Sequence, residues 1–532
     1  MEEHLDRRAE NQEEVSRTPS KTSVEDPATE ADRPPEPALQ NTYHRVLFSV
    51  LVALTQLFSV GGVGIAAFTA REVAQALHTE GPGDMIWFLA AYSLTAGVFV
   101  LISGRFGDAI GHRYALLVGW VWTAVWTLVS GFSHSAILFD VSRGLAGLGN
   151  AIMIPNAVAL LARAYPPGSF WKNTSVALLG WCAPSGFVVG GAVGAGMAER
   201  VSWRWGYWLW AILCFVMGIA SFIVVPHRVG HRLPHVGFRS FDYIGSLLGV
   251  AGLLLFACAW NQANNLGWET TYTYVLLIVG VVCIIAFAVF ELYAPQPVLP
   301  PGLWARPGFT PVCIALALGW LSFGVFLYYS TEFMLTFRGV SAINAVAEMT
   351  PVIVTGGLAT LAVALFVDHV AIQYILGLSM IGFFAGNLLL SLTPAHQIYW
   401  AMLFPAFCVV TLGPDLSFAS ATIIISNVVH HDEQAVGGSF VNTVVLYSHG
   451  LGMGIAGCVQ RYVQQDSSNE LLSVHSALWF AVGVDVISFL VVVFFIRDPR
   501  HLHDKAQQEK QLQQGGAQDQ AKVPQLPPDE QA

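Results

Sequence analysis

Gly104-Arg105-Phe106-Gly107-Asp108-Ala109-Ile110-Gly111-His112-Arg113 decides how the rest of this chain is read. Its glycines at 104, 107 and 111 permit a tight turn and close approach of neighbouring backbones, because no side chain projects from them. Asp108 suits a helix start or a pairing with a neighbouring arginine, and Arg105 and Arg113 hold the turn at a water-facing level. On either side the sequence stays apolar for a membrane thickness, over 85–103 and 115–133. A helix needs about 20 such residues to cross a hydrocarbon core of about 30 Å. The stretch therefore reads as a charged turn between two membrane-crossing helices. The plain alternative is an ordinary basic turn with no further role.

Working outward, the same window finds fourteen candidate spans. Six lie at 46–70, 85–103, 115–133, 136–162, 174–197 and 205–226, two at 242–261 and 274–293, and six at 309–334, 345–367, 371–392, 398–424, 436–457 and 476–496. Composition agrees. Of 532 residues 54% are hydrophobic and 11% charged, whereas a soluble domain carries about 25% charged residues to cover its surface. The expected organisation is a disordered cytoplasmic tail at 1–44, a six-helix bundle at 45–226, a loop with two extra helices at 227–300, a second bundle at 301–497 and a tail at 498–532. Both termini are expected inside, since Arg105, Arg113, Arg163, Lys172, Arg228, Arg232, Arg239 and Arg306 then fall in inner loops. Arg71, Arg200, Arg204, Arg338 and Arg461 fall outside.

Several function classes drop out. Much of the net charge of −10 comes from acids in the first 44 residues, and no basic face suits nucleic acid. The seven cysteines are scattered singly in apolar segments, with no disulfide or metal-site spacing, so neither metal nor cofactor is expected. His227, His231 and His235 lie beside Arg228 and Arg232, which reads as a solvated basic loop in preference to a metal site. No phosphate-binding Gly-x-x-x-x-Gly-Lys-Ser/Thr stretch is present, and no nucleophile–base pairing suggests an enzyme. The sequon Asn173-Thr174-Ser175 is placed in an inner loop and expected to stay unglycosylated.

The fourth span carries Asp140-Val-Ser-Arg143-Gly-Leu-Ala-Gly147-Leu-Gly149-Asn150. An arginine among lipid costs at least about 2.5 kcal/mol, so it must face protein or water and find a partner. Asp140, three residues before it, is the expected partner; a pair that merely fixes helix packing is the alternative. The fifth span holds Gly180, Pro184, Gly186, Gly190 and Gly191, small residues and a proline that allow tight packing against neighbours. Trp203-Arg204-Trp205 opens the sixth and reads first as an interfacial aromatic belt.

These stretches resemble the motifs of one family. Residues 104–113 are similar to the signature loop of the major facilitator superfamily, Gly-x-x-x-Asp-Arg-x-Gly-Arg-Arg, with Ala109 and His112 where basic residues usually stand. The Arg143 stretch resembles its Arg-x-x-Gln-Gly-x-Gly motif, with Ala146 in place of Gln. The fifth span resembles the antiporter motif Gly-x-x-x-Gly-Pro-x-x-Gly-Gly with a shifted glycine frame. Trp203-Arg204-Trp205, Pro297-Val-Leu-Pro300 and Gly437–Ser448 are similar to the fourteen-helix drug:proton antiporters, closest to fungal aminotriazole-resistance exporters and their low-affinity ammonium transporter relatives. The resemblance spans about 45–497 and implies two six-helix bundles with two extra central helices, an all-α membrane fold. It implies that Asp108 and Arg105 latch the two halves, and that Arg143 serves proton coupling. It also implies proton-driven export of a drug, toxin or secondary metabolite by alternating access. One departure is the absence of Asp or Glu from 46–70, where Thr55-Gln56-Leu57 is neutral. That departure keeps open uptake of a small nutrient or cation such as ammonium. A transporter-like sensor is a remoter reading.

By the same resemblance the cavity is lined by spans 1, 2, 4, 5, 9, 10, 12 and 13. The proton-coupling candidates there are Asp140, Arg143, Asp415 and His449. Asp415 follows Gly413-Pro414 and has capping of a helix break as its alternative; His449 has simple packing. Gln56, Asn150, Trp181 and Asn442 are the candidates for contacting cargo, with Phe187, Phe323, Tyr328 and Tyr329 as further aromatic surface. Asp485 is set aside as peripheral, and Glu332, Glu348 and Asp368 are expected near solvated ends. The partners expected are a small-molecule substrate, protons and the bilayer. The chain is expected to be a monomer in the plasma membrane, with the vacuolar membrane as alternative.

Overall fold

The computed structural model describes residues 39–496 except 40, 80, 167–168, 228, 230–241, 296, 368, 430–433 and 468. Residues 1–38 and 497–532, Asp368 and most of the His/Arg loop lie outside the described residues. Within the expected tail, helix already begins at Thr42.

The described residues are helical and carry no strand. That is the form an apolar chain takes when each span must satisfy its own backbone in lipid. The spans are α1 (Thr42–Ala76), α2 (Pro82–Ile110), α3 (His112–Phe132), α4 (Ala136–Ala164), α5 (Phe170–Arg200) and α6 (Trp203–Val224). Then come α7 (Tyr243–Leu266) and α8 (Thr271–Glu291), followed by α9 (Phe309–Glu332, prolonged by a π turn at Phe333–Phe337). α10 is broken into Ala342–Glu348 and Pro351–Phe366, the break falling just ahead of the proline. α11 is Ile372–Ser391, α12 is Leu403–Val410 and Leu412–Val428, α13 is Gln434–Asp466 and α14 is Glu470–Phe495. Side chains of Asn41, Ser135, Ser169, Asp242 and Asn469 accept first-turn N–H groups at the starts of α1, α4, α5, α7 and α14.

Thirteen of these are long and apolar enough to cross a membrane. The fourteenth, α13, is 33 residues long but carries Asn442, Ser448, His449 and Gln460. It tolerates them because it packs on α2, α7, α9 and α14 and so meets protein where other helices meet lipid. α8 is the opposite case: only Thr273, Gly280 and Glu291 along it are buried.

α1 lies along α5, α2 along α4, and α3 against α4 and α6. In the second bundle α9 packs on α13 and α14, and α11 on α12 and α14. The halves meet along two seams, α2 with α13 and α5 with α10. α7 and α8 form a hairpin, with α7 resting on both α2 and α13. The first seam needs glycine: a Cβ at Gly97 would sit 2.4 Å from the Tyr447 nitrogen.

Three expectations shift. α1 and α5 run beyond their apolar windows, so Asn173 lies in the first turn of α5 and not in a loop. α1 likewise continues to Glu72, two residues past the window that lacked an acid. Arg204 does more than anchor an interface: its Nη1 donates to the carbonyls of Gly131 and Ser133, tying α6 to the end of α3, while Trp203 is buried.

Candidate transport site

The stretch 104–113 is less of a turn than its glycines predict: α2 runs on to Ile110 and takes in Gly104, Gly107 and Asp108, so Gly111 alone lies outside helix. Gly111 has φ 97°, a conformation strained for other residues, and lets α3 begin one residue after α2 ends. His112 Nδ1 donates to Asn156 Oδ1 on α4 (2.7 Å), and Asn156 Nδ2 donates to its own helix at Ile152. The other ring nitrogen lies 3.2 Å from Asp108 Oδ1, and Arg163 of α4 approaches the same oxygen at 3.5 Å. Arg113 Nη2 donates to the Phe222 carbonyl (2.5 Å) with its guanidinium over the Phe222 ring. All of these contacts stay within the first bundle. Arg105 leaves it, donating to the Pro297 carbonyl (2.7 Å) in the connection that leads into α9. Glu291 holds that connection by accepting from the Val298 and Leu299 N–H groups. Of the two residues expected to span the halves, Arg105 therefore makes the longer reach, while Asp108 is tied locally.

Arg143 is 1% exposed, and its expected partner is wrong. Nε donates to the Phe88 carbonyl on α2 (3.2 Å) and Nη2 to the Gly62 carbonyl on α1 (2.8 Å). The guanidinium lies 4.6 Å from the Tyr92 ring centroid and 5.9 Å from that of Tyr207. Asp140 makes no ion pair with it among the described residues, and Asp140 Oδ1 is buried without a partner. The reason is geometric: the arginine reaches across to α1 and α2 instead of back along its own helix. Gly147, one turn on, is pressed against the Tyr92 carbonyl.

The small residues of α5 serve two neighbours. Cβ atoms at Gly186 and Gly190 would fall 2.3 Å from the Leu57 carbonyl oxygen and 2.0 Å from that of Gly61, so these positions set the α1–α5 approach. Gly180 faces Thr360 of α10, and Gly191 lies against Phe68 of α1 with Val346 of α10 nearby. At the α5–α10 seam Trp181, 44% exposed, donates from Nε1 to the Ile353 carbonyl (2.9 Å). Pro184 lies beside Gly356 there, and so does Asp415 of α12: a Cβ at Gly356 would be 2.7 Å from Pro184 Cγ and 2.9 Å from Asp415 Oδ2. That oxygen is buried and has no partner. The break in α12 expected near Asp415 exists, at Thr411, but no side chain caps it.

At the other seam His449 is buried, its Nδ1 3.3 Å from Ser93 Oγ of α2. Asn442 donates to Gly438 of its own helix. Gln56 is half-buried on α1, and both amide atoms of Asn150 are buried and unpartnered on α4. Phe187 and Tyr329 are buried in packing, so they offer little free surface.

Two further carboxyl groups are more deeply placed than their positions in the chain suggest. Asp485 is fully buried, accepting from Ser322 of α9 at one oxygen and from Asn387 of α11 at the other (2.9 Å). It is an internal tie of the second bundle; the signal was there, since a mid-span acid must have partners. Glu332, expected near solvent, is contacted by Gln460 Nε2 at 3.5 Å, and its Oε2 is buried without a partner. Glu348 is paired with Arg338.

Two helical bundles joined by a central hairpin, with buried polar and ionisable groups on the seams between them, define a polytopic membrane carrier. The chain belongs to the Major Facilitator Superfamily, whose family model matches residues 52–453. It is similar to the low affinity ammonium transporter of Saccharomyces cerevisiae, 36% identical over 84% of this chain and 88% of that one. It is also similar to the efflux pump terJ of Aspergillus terreus, at 34% over 86% and 89% of the two chains. The aminotriazole resistance protein of Saccharomyces cerevisiae is 31% identical over 84% and 83%. Among solved structures, a POT family transporter crystallised with a thioalcohol-conjugated peptide superposes with a TM-score of 0.64 at 14% identity, covering 84% of this chain and 95% of that one. At that identity it speaks for the fold alone.

Proposed function

We propose that this chain exports a small organic compound in exchange for protons, by alternating access. The observation that carries this is Asp415: a carboxyl oxygen without a partner, buried where α5 of one half meets α10 of the other. A carboxyl group in that place can close into the seam neutral and open to water charged, so its proton occupancy is tied to whether the halves are apart. Asp140, with its own unpartnered oxygen, is the second proton station, and Arg143 supplies a fixed charge between α1, α2 and α4. His449 spans the opposite seam as a secondary coupling group. Trp181, Gln56, Asn150 and Asn442 are assigned to cargo. Arg105, with Asp108 positioning the turn, latches the halves on what is then the cytoplasmic face. Both termini lie on that face, and the chain works as a monomer in the plasma membrane.

The names of the efflux pump and the resistance protein support this direction. The ammonium transporter favours a second reading, uptake of a small cation. The absence of acid from 46–70 also supports that reading, with Glu72 lying only near the end of α1. The test is transport in proteoliposomes under an imposed pH gradient, with amphipathic cations, fungal metabolites and methylammonium as cargo. Uphill movement of an organic compound against an opposing proton flux, abolished in Asp415→Asn, is the expected result. Downhill movement of methylammonium alone, indifferent to that substitution, would make the protein an uptake facilitator.

A further inference from the structure

At the end of the bundle away from the 104–113 turn, a cavity of about 270 Å³ opens between α1 and α9, the two helices that face each other across the halves. Ala67, Ala70, Met85 and Leu335 give it apolar walls, and two charged side chains line it: Arg71 from α1 and Glu332 from α9. Each follows by four residues, about one helical turn, the first lining residue of its helix, Ala67 and Tyr328. Yet no ion pair joins them among the described residues. Arg71 is exposed at the rim. Glu332 is fixed from behind, since Tyr329 donates its hydroxyl to Gln460 Oε1 (2.8 Å) and Gln460 Nε2 lies 3.5 Å from Glu332 Oε1. Its second oxygen, Oε2, is buried and has no donor. Glu72, next to Arg71 in the chain, does not line the cavity.

We propose that this cavity is a binding station for a small zwitterion with an apolar body, its ammonium group on Glu332 and its carboxylate on Arg71. A lone cation would be repelled by Arg71 and a lone anion by Glu332. A ligand with both charges satisfies the two walls at once, and each contact is a charge-assisted hydrogen bond. The volume falls just below the roughly 300–1,000 Å³ of pockets for drug-sized ligands, which limits the occupant to about amino-acid size. The inference rests on the carrier reading and names a substrate class for it.

The experiment is equilibrium binding to the full-length chain in lipid nanodiscs. The probes are leucine and phenylalanine, each beside its decarboxylated amine and its des-amino acid. At least one zwitterion is expected to bind about tenfold or more tighter than both its amine and its acid. Glu332→Gln should weaken the zwitterion and the amine but spare the acid; Arg71→Gln should weaken the zwitterion and the acid but spare the amine. Independently of either charge, the zwitterion should protect a Leu335→Cys protein from maleimide. An amine binding as tightly as its zwitterion, or no zwitterion binding and no protection, would overturn the proposal. Proton-driven export persisting without zwitterion binding would sink this inference alone, whereas binding without proton coupling would sink the exporter reading alone.

Discussion

Arg143 shows what a charge needs inside a membrane bundle: two carbonyls on two different helices and an aromatic ring, with no direct ion pair among the described residues. Lysine cannot reproduce this, because a point charge lacks the planar fork that serves both carbonyls while stacking on Tyr92. Arg143→Lys should therefore abolish coupled transport and lower stability by about 1.5–3 kcal/mol, read from thermal unfolding beside the proteoliposome assay. A protein with wild-type rates would remove Arg143 from the mechanism. Asp108 is a different case, a part-exposed carboxylate between His112 and Arg163. Asp108→Asn should cost no more than about 1 kcal/mol of stability while slowing the cycle severalfold, which separates a role in switching from one in folding. The need for a charge at 143 was legible from sequence, since its cost in lipid demands partners. Which partners was not: spacing ranks residues on one helix, and the contacts come from two others.

Among the elements, α5 carries the most structural information. Gly186 and Gly190 bring its backbone onto that of α1, and the next positions around the helix meet α10. Gly190→Ala places a methyl 2.0 Å from the Gly61 oxygen, so the helices must part. The expected loss is about 1–3 kcal/mol with impaired transport, checked by thermal unfolding and flux; an unperturbed variant would mean the α1–α5 contact is loose. Repeated small residues were readable in the sequence as a packing signal. Their division between two partner helices was not, because a glycine does not record which neighbour fills the space it leaves. α13 taught the reverse lesson. Its polarity lowers its membrane signal, and only its burial among α2, α7, α9 and α14 explains why a helix bearing Asn442 and His449 is at home there.

For the whole molecule, the seam between α2 and α13 comes close near the 104–113 turn: a Cβ at Gly104 would lie 3.2 Å from Ser439 Oγ. The Ser439 hydroxyl stands where a cysteine sulfur would, within reach of a side chain built at 104, so a Gly104→Cys, Ser439→Cys pair should close on oxidation. Built in a background without the seven native cysteines, it should stop transport when oxidised and recover on reduction. Transport continuing through a fully formed crosslink would exclude separation of the halves at this end and with it alternating access. Arg105, bound to the connection ahead of α9, lies close by, and Arg105→Ala should make the same cysteines more reactive to maleimide.

By itself the sequence determined the class of molecule and the charged, glycine-bearing stretch that marks the family, because these follow from short-range properties: apolar length, charge and the spacing of glycines. Tertiary structure alone decided that Asp140 does not pair with Arg143, that Asp485 is an internal tie, and that Asp415 lies on the seam between halves. Each depends on contacts between helices distant in the chain, and a charge in a membrane is assigned its role by what lies across the gap.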